Sequence, residues 1–463
     1  MGFDSVELSD VLTEKGYIRG PFGSALKRGE MKDSGIPVYE QNHAIYGERE
    51  FRYFIDQEKF EDLNRFQVQE DDLIISCSGT VGEISIIDKS DPKGIISQAL
   101  LILRVDTERM LPHFLRYFFT SRTGRYLLLG ASHGSVQNNI AKKSIVTSIP
   151  IPLPSLEIQN EIVDQLYTID QKIHLNEQTN ETLEKIAQAI FKSWFVDFDP
   201  VHAKIEAASA GRDPNRAAMA AIAGVSFDQD WDAIDTALQQ KLDRMSEDQC
   251  TQLRQTAELF PDELVESEIG EVPKGWKVKK LGKVSELNPE TIPTDYEGEI
   301  EYINISGVNE GVINETELYD FTDAPSRARR KVKSGDVIWS NVRPNLKAYS
   351  LIVKPNSNTI ASTGFTVIRP KLLSASFLYN YSTTENFISY LINSTEGSAY
   401  PAVKVSDFKR HKIIVPPQKI DEVFHELVWD IFEKIDANRK QNFTLSELRD
   451  TLLPKLISGE VGV

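Results

Sequence analysis

The chain has 463 residues, which at about 100–200 residues per domain means two to four domains. Hydrophobic side chains make up 40% and charged ones 26%, an ordinary globular balance, and two cysteines, Cys77 and Cys250, cannot staple a chain of this length, so a reducing, cytoplasmic setting is expected. The 52 basic and 69 acidic side chains leave a net charge of −17, which excludes a uniformly basic surface but not a local one; acids stand where a signal peptide would carry base, and no apolar run approaches the roughly 18 residues of a membrane span.

In chain order, residues 1–154 form a first globular unit. Its β-like runs are Leu73–Ser76, Glu83–Ile87 and Leu100–Val105, bounded by turn residues, with a short helix near Pro112–Ser121. Its polar loops are Gly20–Arg28, carrying Ser24, Lys27 and Arg28, then Asn42 and His43 after a strand-like Ile36–Tyr39. A turn with Ser78 and Thr80 follows, and then the dense run Gly130–Asn139 with Ser132, His133, Ser135, Gln137 and Asn138. Hydroxyls, amides and an imidazole meet base edges or phosphates; for any one loop the alternative is a solvated turn.

A proline entry, Ile149-Pro150-Ile151-Pro152-Leu153-Pro154, leads into a long helix over 155–198. Apolar residues at Ile158, Ile162, Leu166, Ile169, Ile173, Leu183, Ile186 or Ala187, Ile190 and Trp194 step by 3 and 4, the seam one helix shows another. Residues 199–270 form an acidic, alanine-rich helical insert or linker. Segment 197–271 has 6 bases against 17 acids, a net charge of −11. A second globular unit spans 271–416, and its stretch 272–416 is net positive at +4, with 19 bases against 15 acids. Its β-like runs are Val337–Ser340, Ala348–Val353 and Phe365–Arg369, with a short helix near Ser376–Thr384. Its candidate contacts are Asn304, Ser306, Arg327, Arg329, Arg330, Asn341, Arg343, Asn345, Lys347, Tyr400 and Lys404. Five bases between Arg327 and Lys333 suggest a phosphate clamp. A second long helix, 417–463, carries Ile420, Phe424, Leu427, Ile431, Ile435, Leu445, Leu448 and Leu452 on its seam, with Pro454 and Gly459 expected to end it.

The second half repeats the first. The helices align at an offset of 262, pairing Ile173 with Ile435, Asn176 with Asn438 and Asn180 with Asn442. Upstream, Asp71–Ser76 resembles Gly335–Ser340 at an offset of 264, and Ile96–Leu100 resembles Ala361–Phe365 at 265. The expected fold class is therefore α+β: two tandem mixed α/β units, related by a pseudo-twofold repeat, joined by two long antiparallel coiled-coil helices. Asn176, Asn180, Asn438 and Asn442 are expected to fix helix register if buried; the alternative is that they face solvent. No Walker phosphate loop, dinucleotide fingerprint, zinc spacing, nucleophile elbow or Asn/Asp-Pro-Pro-aromatic run occurs, so no catalysis is expected of this chain and no metal site.

Together these features resemble the specificity (S, HsdS) subunit of type I restriction–modification systems. The carrying stretches are Ile149–Gln159, Ala187–Phe198, Leu259–Asp262, Ser267–Trp276 and Leu452–Val461. The resemblance implies two target recognition domains, each reading one half of a split, asymmetric double-stranded DNA site, with the helices as a ruler between the half-sites. It implies two methyltransferase (M) subunits bringing S-adenosylmethionine for adenine methylation, restriction (R) subunits bringing ATP and Mg for translocation and cleavage, and no cofactor bound by this chain. Two features depart from the pattern. The first unit lacks the Gly-Glu-Val-Pro-Lys-Gly-Trp lead of the second, and the insert Asp199–Pro261 has no match after the second helix; it is either a partner-facing layer or a tether. The rival readings are a free-standing DNA regulator, which the charge opposes, and a scaffold that holds two copies of one protein partner. A subunit of a fused split-site system remains inseparable from the first reading.

Overall fold

Leu100–Val105 is apolar at five of its six positions because both of its faces are covered. Strand side chains alternate between faces, and here Leu101 and Leu103 enter one core cluster while Leu100 and Ile102 enter another. The computed structural model describes residues 3–22, 26–130, 140, 142–228, 230–395 and 401–461. The chain divides into two compact units, Met1–Asn176 with Lys440–Val463, and Glu177–Arg439.

In the first unit an antiparallel four-stranded sheet runs in the order Leu12–Arg19, Leu100–Val105, Leu73–Ser76, Ile84–Ile86. Phe54–Ile55, Ile36–Tyr39 and Ile95–Ile96 form a second sheet, whose last pair is parallel. The unit is closed by Ser5–Glu7 pairing with Pro150–Pro152. The second unit repeats the plan. Ser285–Leu287, Phe365–Pro370, Val337–Ser340 and Tyr349–Leu351 form one sheet, Glu317–Asp320, Glu299–Ile303, Thr359–Ser362 and Ala328–Lys331 another, and Lys277–Lys280 pairs with Lys412–Val415. The closing strand pair thus exists in both units. An additional hairpin, Leu264–Ser267 with Gly270–Pro273, precedes the second.

The repeat extends to polar details. Asp72 is fully buried, accepts both 2.7 Å hydrogen bonds of the Arg104 guanidinium and one from the Gln69 amide. Asp336, also fully buried, does the same for Arg369 and the Lys333 amide. Such bidentate pairs fix geometry as well as neutralising charge. Burial pushes the Asp72 carboxyl up, against the pull of Arg104. In each unit the first turn of the long helix also latches a short helix of the globular part: buried Gln159 accepts from the Leu111 amide at 2.8 Å, and Asp421 from the Ser374 amide at 2.7 Å.

The long helices span Leu156–Phe195 and Gln418–Ser458. They run antiparallel within each unit. In the first, Ile162 and Leu166 share a core with Leu453, Leu456 and Ile457, and Asn442 donates to the Ile173 carbonyl at 3.2 Å. In the second, Phe191 packs on Phe424 and Asn438 donates to Asn180 at 2.8 Å. Of the two alternatives at Ile186 and Ala187 the seam takes Ala187, which is buried; it shifts by one residue at Leu427, exposed beside the buried Val428, and Leu448 is exposed. Burial at Phe424, Val428 and Phe432 in steps of 4 faces the core of the globular part as well as the partner helix, so the apolar stripe is wider than a two-helix seam. Pro454 does not end the second helix. The helix continues to Ser458, held by the buried Leu453, Leu456 and Ile457 on either side of the proline, and Gly459 at φ +73 follows it.

The described residues of the insert form four helices, Asp199–Ser209, Pro214–Ile222, Trp231–Leu242 and Glu247–Leu259. Its core uses Ala218, Ala220 and Ala257 beside Ile234, Leu238 and Leu253, small side chains that let helices approach closely. The buried Lys204 donates to the Phe260 carbonyl at 2.6 Å, tying the first helix to the end of the last. No helix among the described residues is long and apolar enough to cross a membrane.

Candidate nucleic-acid interface

Equivalent loops follow the central strand of each unit. In the first, Ser76–Gly82 turns through Gly79 at φ +64 and Gly82 at φ +86. In the second, Ser340–Lys347 turns through Arg343 at φ +50 and Lys347 at φ +52, the same offsets of 264 and 265. The left-handed region costs an ordinary residue about 1 kcal/mol and glycine little. The second unit holds two cationic side chains where the first has glycines, and such strain marks candidate functional positions.

The surrounding backbone fixes the strained loop. The Arg343 amide donates to the Pro401 carbonyl at 2.8 Å, Asn341 to Gly364 at 2.8 Å, and Val403 to Asn341 at 2.8 Å. Ser340 Oγ donates to the Val342 carbonyl, as Ser76 Oγ does to Thr80 in the first unit. Arg343 and Asn345 are exposed, and Lys347 lies 3.6 Å from Glu310. Ser78 and Thr80 are exposed at the tip of the first loop, where their carbonyls accept from Gln41 Nε2.

Several expected contacts are placed otherwise. His43 is fully buried: its ring stacks on Phe51 at 4.6 Å and its Nε2 lies 2.9 Å from the Glu50 carbonyl. It is a satisfied core histidine, not an exposed ligand. Asn42 is half-buried, its Oδ1 without a hydrogen-bond partner. Asn304 caps a turn through Ser306 and Gly307 and contacts Glu317, so its amide serves the fold, as does Ser306 through its bond to Asn304. Asn341 accepts from Thr366 at 2.6 Å.

The five-base cluster divides along strand Ala328–Lys331. Arg327 is exposed, but Arg329 lies over the Phe321 ring at 4.8 Å, and burial lowers the pKa of Arg330. Lys333 pairs with Glu290, which also takes Arg369. The cluster is therefore not five free cations on one face; Arg327 and Lys333 are exposed, Lys333 held by Glu290, and Lys404 is exposed near the strained loop's partner segment. Lys27 is exposed in the first unit, and Arg28 begins a short turn. Ser24, Ser132, His133, Ser135, Gln137, Asn138 and Tyr400 lie outside the described residues.

All four register asparagines point into the helix pairing. Asn176 donates to Asn442 at 2.8 Å and to Gln441 at 2.9 Å, and Asn438 to Asn180 at 2.8 Å. Asn176, Asn180 and Asn438 are buried, and Asn442 is half-buried. Composition and motif scanning missed the Asp72–Arg104 and Asp336–Arg369 pairs and the Gln159 and Asp421 latches. The signal was present, because each set repeats at offsets of 262 to 265. Among the described residues no cluster of His, Cys, Asp and Glu is arranged to hold a metal ion.

The family described as the type I restriction modification DNA specificity domain matches residues 3–185 and 273–446, leaving the insert unmatched. The type I restriction enzyme HindI specificity subunit of Haemophilus influenzae is 30% identical over 395 residues, covering 82% of this chain and 84% of that protein. The MjaIX specificity subunit of Methanocaldococcus jannaschii is 27% identical over 367 residues, covering 78% and 71%. The crystal structure of a type I restriction-modification S subunit from M. genitalium shares the fold, with a TM-score of 0.53 at 14% identity over 98% of this chain and 96% of that one. With two matched recognition units, each carrying its own half of an antiparallel helix pair, this chain belongs to the family of type I restriction–modification specificity subunits.

Proposed function

We propose that each recognition unit reads one half of a bipartite, asymmetric site in double-stranded DNA, and that the helix pair sets the spacer between the halves. The carrying observation is the pair of equivalent loops after the central strands, glycine-turned in one unit and held by strained Arg343 and Lys347 in the other. Two units built to one plan but lined by different side chains suit two different half-sites. Arg343, Lys347, Asn345, Arg327 and Lys404 supply phosphate and base-edge chemistry in the second unit, and Lys27, Ser78, Thr80 and the 131–139 segment in the first.

In this reading the chain performs no chemistry itself. Two methyltransferase subunits bring S-adenosylmethionine, restriction subunits bring ATP and Mg, and the complex works in the cytoplasm. The local charge supports the division: positive surface in 272–416 for DNA, and a net −11 in 197–271 that DNA would repel, leaving the insert for protein contact.

The test is a length change. Removing one helical turn, about four residues, from both long helices shifts the preferred spacer and leaves the half-site sequences intact. An unchanged spacer in a binding selection contradicts the ruler role.

A further inference from the structure

In each unit a buried tyrosine of the short recognition helix meets a carboxylate on the central long helix, and that carboxylate meets an arginine on the C-terminal one. In the first unit Tyr117 Oη donates to Asp170 at 2.8 Å, and Arg449 Nη1 reaches the other carboxylate oxygen at 3.0 Å. In the second Tyr379 Oη donates to Glu184 at 2.6 Å, and Arg439 Nη2 stands 4.0 Å from the other carboxylate oxygen, an ion pair beyond hydrogen-bond reach, so there the tyrosine bond alone is directional. The chain leaves room for the second knot at Gly311, where φ is +75 and a Cβ would stand 2.7 Å from Tyr379 Oη and 3.0 Å from Glu184 Oε1.

Apolar packing of a recognition domain on a helix pair is non-directional and tolerates small slides. A charge-assisted hydrogen bond does not, since at 3.6 Å it no longer exists. One base pair of extra spacer moves a half-site by about 3.4 Å along the duplex, more than either knot survives. Burial, reinforced by the neighbouring carboxylate, pushes both phenols above their ordinary range, so each stays a donor at neutral pH.

We propose that the Tyr117–Asp170–Arg449 and Tyr379–Glu184–Arg439 knots are positioning devices that hold each recognition domain at a fixed angle on its stretch of the helix pair and thereby sharpen discrimination between spacer lengths. This rests on the reading that the helices set the spacer. The residues touch no base in this account; they act through the domains they orient.

The test uses the full chain in its complete complex, with genome methylation as the readout. Tyr117→Phe and Tyr379→Phe keep the ring and remove only the hydroxyl. Each raises methylation at sites one base pair longer or shorter relative to the parental spacer by about fivefold, the ratio that one net hydrogen bond controls, with the half-sites unchanged. The double variant exceeds either single one. Glu184→Gln, which retains an acceptor, falls between the parent and Tyr379→Phe, and gives the same readout should a Phe variant assemble poorly. The four-residue deletion in both helices runs alongside. If it moves the spacer while the Phe variants keep parental discrimination, the positioning role is overturned and the ruler reading stands. If it leaves the spacer unchanged, both fall.

Discussion

The two recognition units share a plan and differ where they meet the outside. Behind the sheets the likeness is close: Asp72–Arg104 and Asp336–Arg369 are the same buried bidentate pair, and Gln159 and Asp421 the same latch. In front, the loop after the central strand carries Gly79 and Gly82 in one unit and Arg343 and Lys347 in the other, all at positive φ. The difference teaches that backbone geometry is held constant while the side chains displayed from it change, even at a cost in strain. A scaffold that must present different readers from one frame behaves in this way.

The buried pairs offer the largest test of that likeness. Removing one partner of a buried ion pair strands the other charge and costs about 3–5 kcal/mol. Asp72→Ala leaves Arg104 with only the Gln67 carbonyl, so the full loss is expected, read as hydrogen-exchange protection lost in the first unit. Asp336→Ala costs less, because Glu290 still pairs with Arg369. Equal losses would show that Glu290 contributes nothing.

The helix asparagines come next. Asn438→Leu leaves Asn180 buried without its donor, at a cost of about 1–3 kcal/mol. Adding Asn180→Leu restores stability or improves it while loosening register. A double variant no more stable than the single would mean that the pair is not a closed unit. In the first unit Asn176 has two partners, Gln441 and Asn442, so no single partner change there matches the Asn438 effect.

A pH dependence is built into the second unit. Burial among Tyr381, Phe387 and Tyr390 pushes His411 down to about 4 from its ordinary 6.5. Because the folded pKa lies below the unfolded one, the unfolded chain takes up a proton first as pH falls. Stability is therefore full above pH 6.5 and is lost between 6.5 and about 4. Allowing for partial exposure, the effect is on the order of 1–2 kcal/mol. Denaturant unfolding of the second unit followed from pH 7 to 4.5 shows that slope, and His411→Gln flattens it. An unchanged slope assigns the titration elsewhere, with His425 the next candidate, since burial lowers it too.

The smallest stability effect is the most informative about function. Arg343→Gly relieves the left-handed strain and stabilises the second unit by about 1 kcal/mol. The same change weakens DNA binding and reduces the slope of affinity against salt by about one charge. A variant that is both more stable and equally tight would remove Arg343 from the interface.

Much of this was legible in the chain. The 262–265 offsets gave two units and two long helices, and the strands at Leu73–Ser76, Leu100–Val105 and Val337–Ser340 fell where apolar runs meet turn residues. The helix seam slipped by a residue at Leu427, with Val428 buried instead, because a helix packed on a domain as well as on another helix buries a wider stripe than steps of 3 and 4 imply; Leu448 lies off the seam, exposed. His43 misled because a polar residue in a polar run gives no sign of Tyr39 and Phe51 closing around it. The arginine cluster misled because strand alternation, Phe321 and Glu290 divide its charges among different surroundings. The strain at Arg343 and Lys347 is a backbone property, visible in sequence only by comparison with the glycines of the first repeat.

The most direct test of the central claim is sequencing of genome methylation in cells that carry this chain with the methyltransferase subunits proposed for it, against cells that lack the chain. The account predicts one split motif: two unlike half-sites separated by a fixed number of unspecified base pairs, methylated only when the chain is present. A continuous motif, two identical half-sites, or a methylation pattern indifferent to the chain would contradict it.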